Sequence, residues 1–159
     1  EDQESGRLTC VGSVVHLEQG RARLSFNIRY PVTARAEDLI EKIRRSAEEH
    51  GFQLAYANDS KPSYFDPASP LVQALTKVYH QVTGREDQPF VMGGGTYARK
   101  IPNAVAFGPG LPMDLSPLGL KPGHGDCHCP DEAQSIPNLL TALKIYVLSL
   151  LKLDEILSA

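Results

Sequence analysis

The stretch Arg21-Ala22-Arg23-Leu24-Ser25-Phe26-Asn27-Ile28-Arg29-Tyr30-Pro31 decides the fold of residues 1–60. Apolar and polar side chains alternate along it, which predicts a β-strand with one face turned toward a core. The apolar face consists of Ala22, Leu24, Phe26 and Ile28. Because alternate residues share a face, Asn27 and Arg29 should project together from the other side, away from the core. Pro31 is expected to end the strand.

The residues on either side of this strand complete a small α+β layer. Arg7 to Leu17 predicts a strand, joined to 21–30 by the short hairpin loop Glu18-Gln19-Gly20. Residues 36–50 place apolar side chains at helical spacing and acids in the first turn, and Gly51 ends the helix. Phe52 to Ala57 predicts one more strand. The expected arrangement is a helix packed on one face of an antiparallel sheet.

A polar segment with two prolines, residues 58–67, predicts a linker to a second unit. Ser69 should cap a helix that begins at Pro70 and stops at Gly84. Short buried strands are predicted at 89–92 and 104–108, before a long helix at 136–157. That helix is expected to turn a set of apolar residues inward: Leu139, Leu143, Tyr146, Val147, Leu150 and Leu151. Helix, strand, strand, helix is typical of the last part of an α/β domain, so the fold class is α/β.

Composition excludes several classes of partner. The chain has 159 residues, a net charge of −3 and interspersed charges without a basic stripe, which argues against nucleic acid or an anionic membrane as partner. The apolar residues 136–157 are interrupted by Asn138, Lys144 and Lys152, so we do not expect them to span a bilayer. With no targeting segment and three cysteines that form no disulfide framework, the expected compartment is the reducing cytoplasm.

The segment Asp126-Cys127-His128-Cys129-Pro130-Asp131-Glu132 concentrates an imidazole, two thiols and three carboxylates before the long helix. A ring nitrogen of His128 is a donor that Zn²⁺ accepts, and nearby acids could orient the ring. Taken alone, the segment leaves open a surface loop whose acids only cap the next helix. A structural zinc site of both cysteines, His128 and His124 is disfavoured, because side chains of adjacent residues diverge. We therefore expect His128 to be a single ligand in a site completed by other parts of a protein.

The heptapeptide Gly93-Gly94-Gly95-Thr96-Tyr97-Ala98-Arg99 follows a predicted strand. Three glycines allow the backbone to approach a ligand closely and leave amides free to hold an oxyanion or a carboxylate. The spacing matches neither the dinucleotide fingerprint nor the phosphate loop. A tight turn without a ligand is the alternative.

Together these segments resemble a known family. Four motifs occur in order: Asn27 to Pro31, Gly93 to Arg99, Val105-Ala106-Phe107-Gly108-Pro109, and Asp126 to Glu132 before a long helix. The order resembles the carnosinase and aminoacylase superfamily of co-catalytic zinc peptidases, and the Gly-Gly-Gly-Thr-Tyr-Ala-Arg form is most similar to its bacterial Xaa-His-type dipeptidase branch. The resemblance covers nearly the whole chain.

The resemblance implies a two-domain enzyme with two Zn²⁺ ions, or Mn²⁺ or Co²⁺ in their place, that hydrolyses dipeptides through a metal-activated water. Residues 1–60 would be the second half of the lid or dimerisation domain, and 61–159 the carboxyl-terminal segment of the catalytic domain. His128 matches the metal-binding histidine, and Arg29 matches the lid arginine that grips the substrate carboxylate. Further substrate-binding residues would be Asn27, Gly94, Gly95 and Thr96. The expected partners are a dipeptide or N-acyl amino acid, the remainder of the catalytic domain, and a second copy of the chain in a homodimer.

The chain also departs from the family pattern. In the family, a His-x-Asp motif, paired glutamates and a second metal-binding aspartate lie upstream of the matched segments. None of them precedes Asn27 in this chain, so four of five expected metal ligands and the general base are missing. We therefore expect no catalytic residue in this chain, no activity on its own, and a fragment of a longer enzyme. The alternatives are a fragment of an N-acyl amino acid deacylase, or a non-catalytic lid module used for interaction.

Overall fold

A computed structural model describes residues 1–158 and confirms a mixed α/β composition. The elements in chain order are β1 (Thr9–Glu18), β2 (Arg21–Arg29), α1 (Ala36–Glu49), α2 (Pro70–Thr83) and α3 (Ile136–Leu157), with short 3₁₀ helices at Tyr97–Lys100 and Ser116–Leu118. The chain forms two compact units. The first contains Glu1–Tyr64 and Phe90–Val105, and the second contains Phe65–Pro89 and the residues from Ala106 onward. The domain boundary expected near residue 60 stays a prediction.

Strands β1 and β2 form an antiparallel hairpin whose register runs from the Glu18 and Arg21 pair to the Thr9 and Arg29 pair. The two residues of the turn, Gln19 and Gly20, have φ values of 49° and 74°. Positive φ at both positions gives the turn a twist that matches the strands it joins. The predicted hairpin is therefore confirmed, with a slightly tighter loop. A β-bulge interrupts the register between Gly12 and Val14 of β1.

The layer expected around this hairpin does not form as predicted. Helix α1 packs on neither strand. Residues 52–57, all of which the structure describes, do not form the predicted strand. As a result the apolar face of β2 is largely uncovered, with Leu24 41% and Phe26 56% exposed. A two-stranded sheet presents a narrow apolar face, and without a third strand it offers little area against which a helix can pack.

In the second unit, helices α2 and α3 pack against each other. The contact buries Ala74, Leu75 and Val78 on α2, and the fully buried Ile145 is on α3. The end signals of α2 are where the sequence predicts them. The hydroxyl of Ser69 accepts a hydrogen bond from the Val72 amide, and Gly84 ends α2 with a φ of 67°.

The prediction of which α3 residues face the core is mostly wrong. The six apolar residues expected to face inward, Leu139 through Leu151, are 42% to 68% exposed. The segments 89–92 and 104–108 are not strands, so no sheet among residues 1–158 covers the helix. A strand needs a hydrogen-bonded neighbour, and neither segment has one here. By length and apolar composition alone α3 could also cross a membrane, a test that core helices of soluble proteins pass as well.

Ser149 is a buried residue of α3, only 3% exposed, and its hydroxyl has no hydrogen-bond partner within residues 1–158. A buried hydroxyl without a partner is destabilising because it loses its water and gains nothing. We expect Ser149→Ala to raise the free energy of unfolding by about 1 kcal/mol, measured by urea denaturation.

Thr141→Ala is the matched control on the same helix, because the Thr141 hydroxyl donates to the Pro137 carbonyl at 3.0 Å. Both substitutions gain similar helix propensity, about 0.5 kcal/mol. Equal effects of the two variants would show that the Ser149 hydroxyl is not the source of the gain.

Candidate functional site

The side chain of Arg29, the last residue of β2, lies against the glycine loop, which we define as Gly93-Gly94-Gly95. A Cβ placed on Gly93 would lie 3.1 Å from Cδ and 3.3 Å from Nη1 of Arg29. Both residues belong to the first compact unit. Asn27 is exposed and shares a strand face with Arg29 because it is two residues away. The structure therefore brings together two segments that are far apart in the sequence.

The backbone of the glycine loop is partly engaged by its own turn. The Gly94 amide donates to the Met92 carbonyl at 2.8 Å, so this amide is not free to hold an oxyanion. The Thr96 hydroxyl accepts a hydrogen bond from the Ala98 amide at 3.2 Å and caps the short 3₁₀ helix. That bond leaves the Thr96 hydroxyl proton available for donation. The substrate-binding roles of Gly94, Gly95 and Thr96 stay predictions.

A second guanidinium lies at the other end of the glycine loop. A Cβ on Gly95 would overlap the Arg99 guanidinium, with Nη2 only 2.7 Å away. Glycine at position 95 therefore provides the space that Arg99 occupies. Sequence reasoning did not include Arg99 among the site residues, although it belongs to the same heptapeptide. The spacing of Gly95 and Arg99 on a tight turn is the signal that would have indicated this contact.

Neither arginine has an acidic partner in the described part of the chain, whereas other arginines do. Arg35, Arg44, Arg45 and Arg85 each form an ion pair with a nearby carboxylate. Arg29 and Arg99 are exposed and form no ion pair with any carboxylate of residues 1–158. Their donors are therefore available to an anion that the described chain does not supply.

Next to Arg29, the hydroxyl of Tyr30 donates a 2.6 Å hydrogen bond to the Asp59 carboxylate. This bond ties the end of β2 to the segment 58–67. Desolvation, together with the hydrogen bond to Asp59 and its negative charge, raises the pKa of Tyr30 to about 12. The hydrogen bond from the neutral Tyr30 phenol to Asp59 therefore helps to hold the backbone beside Arg29 in place.

We expect Asp59→Asn to lower the pKa of Tyr30 toward its ordinary value of 10.0, measured from tyrosinate absorbance as the pH is raised. Because the folded-state pKa is raised, the stabilisation is complete below pH 10 and is lost as the pH rises through about 12. Tyr30→Phe identifies the transition that belongs to Tyr30. An unchanged transition in Asp59→Asn would contradict the contact with Asp59.

His128 is an exposed residue in a tight loop between the second 3₁₀ helix and α3, and its φ is 63°. Its backbone amide donates to the Glu132 carboxylate at 3.2 Å. Asp131 also has a positive φ of 56°, and its carboxylate contacts Nδ1 of His124 at 2.7 Å. Two non-glycine residues in the left-handed region are uncommon, and such conformations cluster at functional sites.

In the surface-loop alternative, Asp131 and Glu132 would cap the next helix, but neither of them does so. Ser135 caps α3 by accepting a hydrogen bond from the Asn138 amide. Within residues 1–158, no three histidine, cysteine or acidic side chains come together to hold a metal ion. The exposed imidazole of His128 has the donor chemistry that Zn²⁺ accepts. Its role as a metal ligand stays a prediction.

Gly125 holds the His128 loop closed. Its amide donates to the Pro130 carbonyl at 2.9 Å, and its carbonyl accepts from the Ala133 amide at 3.1 Å. It is buried with a φ of 90°, and a Cβ there would lie 2.5 Å from Cδ1 of Leu120. Only glycine satisfies both conditions without strain.

We therefore expect Gly125→Ala to destabilise the chain by more than the 1–2 kcal/mol that a left-handed alanine costs on its own, measured by urea denaturation. Gly123→Ala is the matched control, because Gly123 has a φ of 80° but nothing within 4 Å of a Cβ. If both variants lose the same stability, contact with Leu120 is not important.

The chain is similar to bacterial proteins of the dipeptidase type. It is 37% identical over 157 residues to "Putative dipeptidase YtjP" of Bacillus subtilis strain 168, an alignment that covers 98% of this chain and 31% of that protein. It is 30% identical over 145 residues to "Putative dipeptidase SSP1012" of Staphylococcus saprophyticus, covering 91% of this chain and 29% of that protein. A "Putative dipeptidase" of Staphylococcus epidermidis is 37% identical over 100 residues, covering 63% and 21% of the two chains. No family model matches the chain.

All three of these proteins carry a dipeptidase name. The chain spans less than a third of the length of the relatives it matches.

Proposed function

We propose that this chain acts as the carboxyl-terminal part of a zinc-dependent dipeptidase of the carnosinase and aminoacylase superfamily. In this proposal Arg29 binds the free carboxylate of the substrate and His128 is one of the metal ligands. The observation that carries it is the position of Arg29 on the glycine loop, within 3.3 Å of where a Gly93 side chain would begin. The similarity to dipeptidases over nearly the whole chain gives that position its chemical meaning.

The carboxylate role of Arg29 follows from its donors and its surroundings. A guanidinium donates two parallel hydrogen bonds to one carboxylate, which a lysine cannot do. Arg29 forms no ion pair with an acid among residues 1–158, and Asn27 adds an amide on the same strand face. Glycine at position 93 permits the arginine to lie flat against the backbone.

For His128, the proposal rests on an exposed imidazole that the loop holds in a left-handed backbone conformation. Zn²⁺, or Mn²⁺ or Co²⁺ in its place, supplies Lewis acidity and lowers the pKa of a bound water. His128 would hold the metal while Gly125 keeps the loop closed. The other ligands and the general base would come from the remainder of the catalytic domain, because residues 1–158 contain no complete set.

The uncovered apolar surface of α3 also supports the remainder of the catalytic domain as a partner of this chain. Leu143 and Leu150 are 58% and 68% exposed, which is unusual for a helix this apolar. We propose that the remainder of the catalytic domain covers these residues. We also propose that the lid hairpin takes part in a homodimer. The enzyme would be cytoplasmic and would bind neither nucleic acid nor a membrane.

The experiment is a binding measurement on the 159-residue chain with Gly-Ala and with its carboxyl-terminal amide. Chemical shifts of the glycine-loop amides report binding. We expect Gly-Ala to bind more tightly than the amide, and Arg29→Ala to remove the difference. Arg23→Ala is the matched control, since Arg23 lies on the same face of β2 and has no contact with the glycine loop. Equal binding of the acid and the amide by the wild-type chain would contradict the proposal.

Added Zn²⁺ or Mn²⁺ should not make this chain hydrolyse dipeptides, since one imidazole cannot close a tetrahedral site. Turnover that His128→Ala abolishes would show a complete site in this chain and would overturn its assignment as one part of the enzyme.

A further inference from the structure

We infer that Arg99 is a specificity residue that binds a second carboxylate, so that the favoured substrates are dipeptides with aspartate or glutamate at the carboxyl terminus. This inference rests on the proposed function, in which Arg29 takes the α-carboxylate. It assigns a role to Arg99, which belongs to the Gly93–Arg99 motif but was not among the predicted site residues.

The geometry places two guanidinium groups on one short loop. Arg29 lies against Gly93, and Arg99 occupies the space that a side chain on Gly95 would need. The Cα atoms of residues two apart are at most ~7 Å from each other. An anion bound at the glycine loop would therefore be within reach of both side chains.

The local fold holds Arg99 over the loop. The Thr96 hydroxyl caps the 3₁₀ helix Tyr97–Lys100, and Ala98 is buried with 6% exposure. With Ala98 turned inward, the tight turn carries the Arg99 side chain back over Gly95. The contact is thus a property of the turn and of a glycine that leaves room for it.

Charge balance determines what the second guanidinium would bind. The fork of Arg29 can satisfy both oxygens of one carboxylate. Arg99 then adds a positive charge at the same loop, and no acid within residues 1–158 pairs with it. Two guanidinium groups near one monoanion leave one positive charge uncompensated, whereas a dianion compensates both. Aspartate and glutamate carry their second carboxylate within one side-chain length of the α-carboxylate.

The experiment measures binding of Ala-Ala, Ala-Glu and Glu-Ala to the 159-residue chain at low salt, with glycine-loop amide shifts as the readout. We expect Ala-Glu to bind about tenfold more tightly than the other two, a usual scale for a hydrogen-bonded charge pair. Arg99→Ala should remove this preference and change the affinity for Ala-Ala by less than about twofold. Arg23→Ala should keep the preference, because it removes one positive charge from the same unit without touching the loop.

A second pair of variants tests the contact without removing the arginine. Gly95→Ala should displace the Arg99 guanidinium and reproduce the loss seen in Arg99→Ala, and combining both changes should add nothing further. Gly110→Ala is the control, since a Cβ at Gly110 has nothing within 4 Å.

Three results would overturn the inference: no preference for Ala-Glu in the wild-type chain, an equal gain for Glu-Ala, or an equal loss of Ala-Ala and Ala-Glu in Arg99→Ala. Failure of the proposed function has a different signature. In that case Arg29→Ala would leave binding of all three dipeptides unchanged, while the effect of Arg99→Ala on Ala-Glu would persist.

Discussion

If His128 is a metal ligand as proposed, His128→Ala is expected to lower the activity of the complete enzyme by at least ~100-fold and to weaken one of the two metals that the resemblance implies. Loss of even an indirect partner of a metal ligand typically costs 10–100-fold, so loss of a ligand should cost more. Cys127→Ser and Cys129→Ser should each leave the metal content near normal. In the structure Cys127 is exposed and Cys129 half-buried, and neither joins a cluster of potential ligands within residues 1–158.

Metal stoichiometry and thiol alkylation rates of the three variants test this expectation. A cysteine that binds zinc is a thiolate protected by the metal, so its alkylation is slow and recovers on chelation. Loss of zinc in either cysteine variant would overturn the assignment of His128 as the single ligand from this loop. It would favour a structural site instead.

Arg29→Lys should lower kcat/KM of the complete enzyme by ~30- to 150-fold while the fold is retained. Lysine keeps the charge but loses the two parallel hydrogen bonds, a loss of about 2–3 kcal/mol on the usual scale for hydrogen bonds to a charged group. The measurement compares a dipeptide with its carboxyl-terminal amide in both enzymes. The amide should show no further loss in the variant.

Arg23→Lys provides the control for this substitution, since it makes the same chemical change six residues earlier on the same face of β2. It should leave kcat/KM unchanged within about twofold. If Arg29→Lys reduces hydrolysis of the acid and the amide equally, Arg29 does not bind the carboxylate.

The local elements of this fold could be predicted from the sequence because their signals are local. The hairpin follows from alternation and the Gln19-Gly20 turn, and α2 follows from the Ser69 cap, Pro70 and Gly84. These signals act through hydrogen bonds and backbone conformations within a few residues. They therefore hold whatever surrounds the element.

The failures concern elements that depend on distant partners. The segments 52–57, 89–92 and 104–108 have apolar strand patterns, but a strand exists only when another strand pairs with it. The predicted inward face of α3 fails for the same reason. The apolar side chains along one side of a helix are buried only where another element covers them.

The candidate site divides in the same way. Alternation along β2 predicted that Arg29 and Asn27 share a face, and this is what the strand geometry gives. The contacts of Arg29 with Gly93 and of Arg99 with Gly95 depend on how a loop folds back, which no periodic pattern encodes. The sequence shows where the glycines are, but it does not show which side chain packs against each of them.

The connection between α2 and α3, residues 84–135, bears on how the second unit folds. The two helices can pack only after this long connection brings its ends together, whereas the hairpin closes over a two-residue turn. Hairpins form in about 1–10 μs, so β1 and β2 are expected to pair before the helices meet. Closure entropy grows slowly with length, since each doubling of a flexible connection costs only about 0.6 kcal/mol. Adding a few residues to this connection outside the glycine loop and the His128 loop should therefore alter the folding rate and the stability very little.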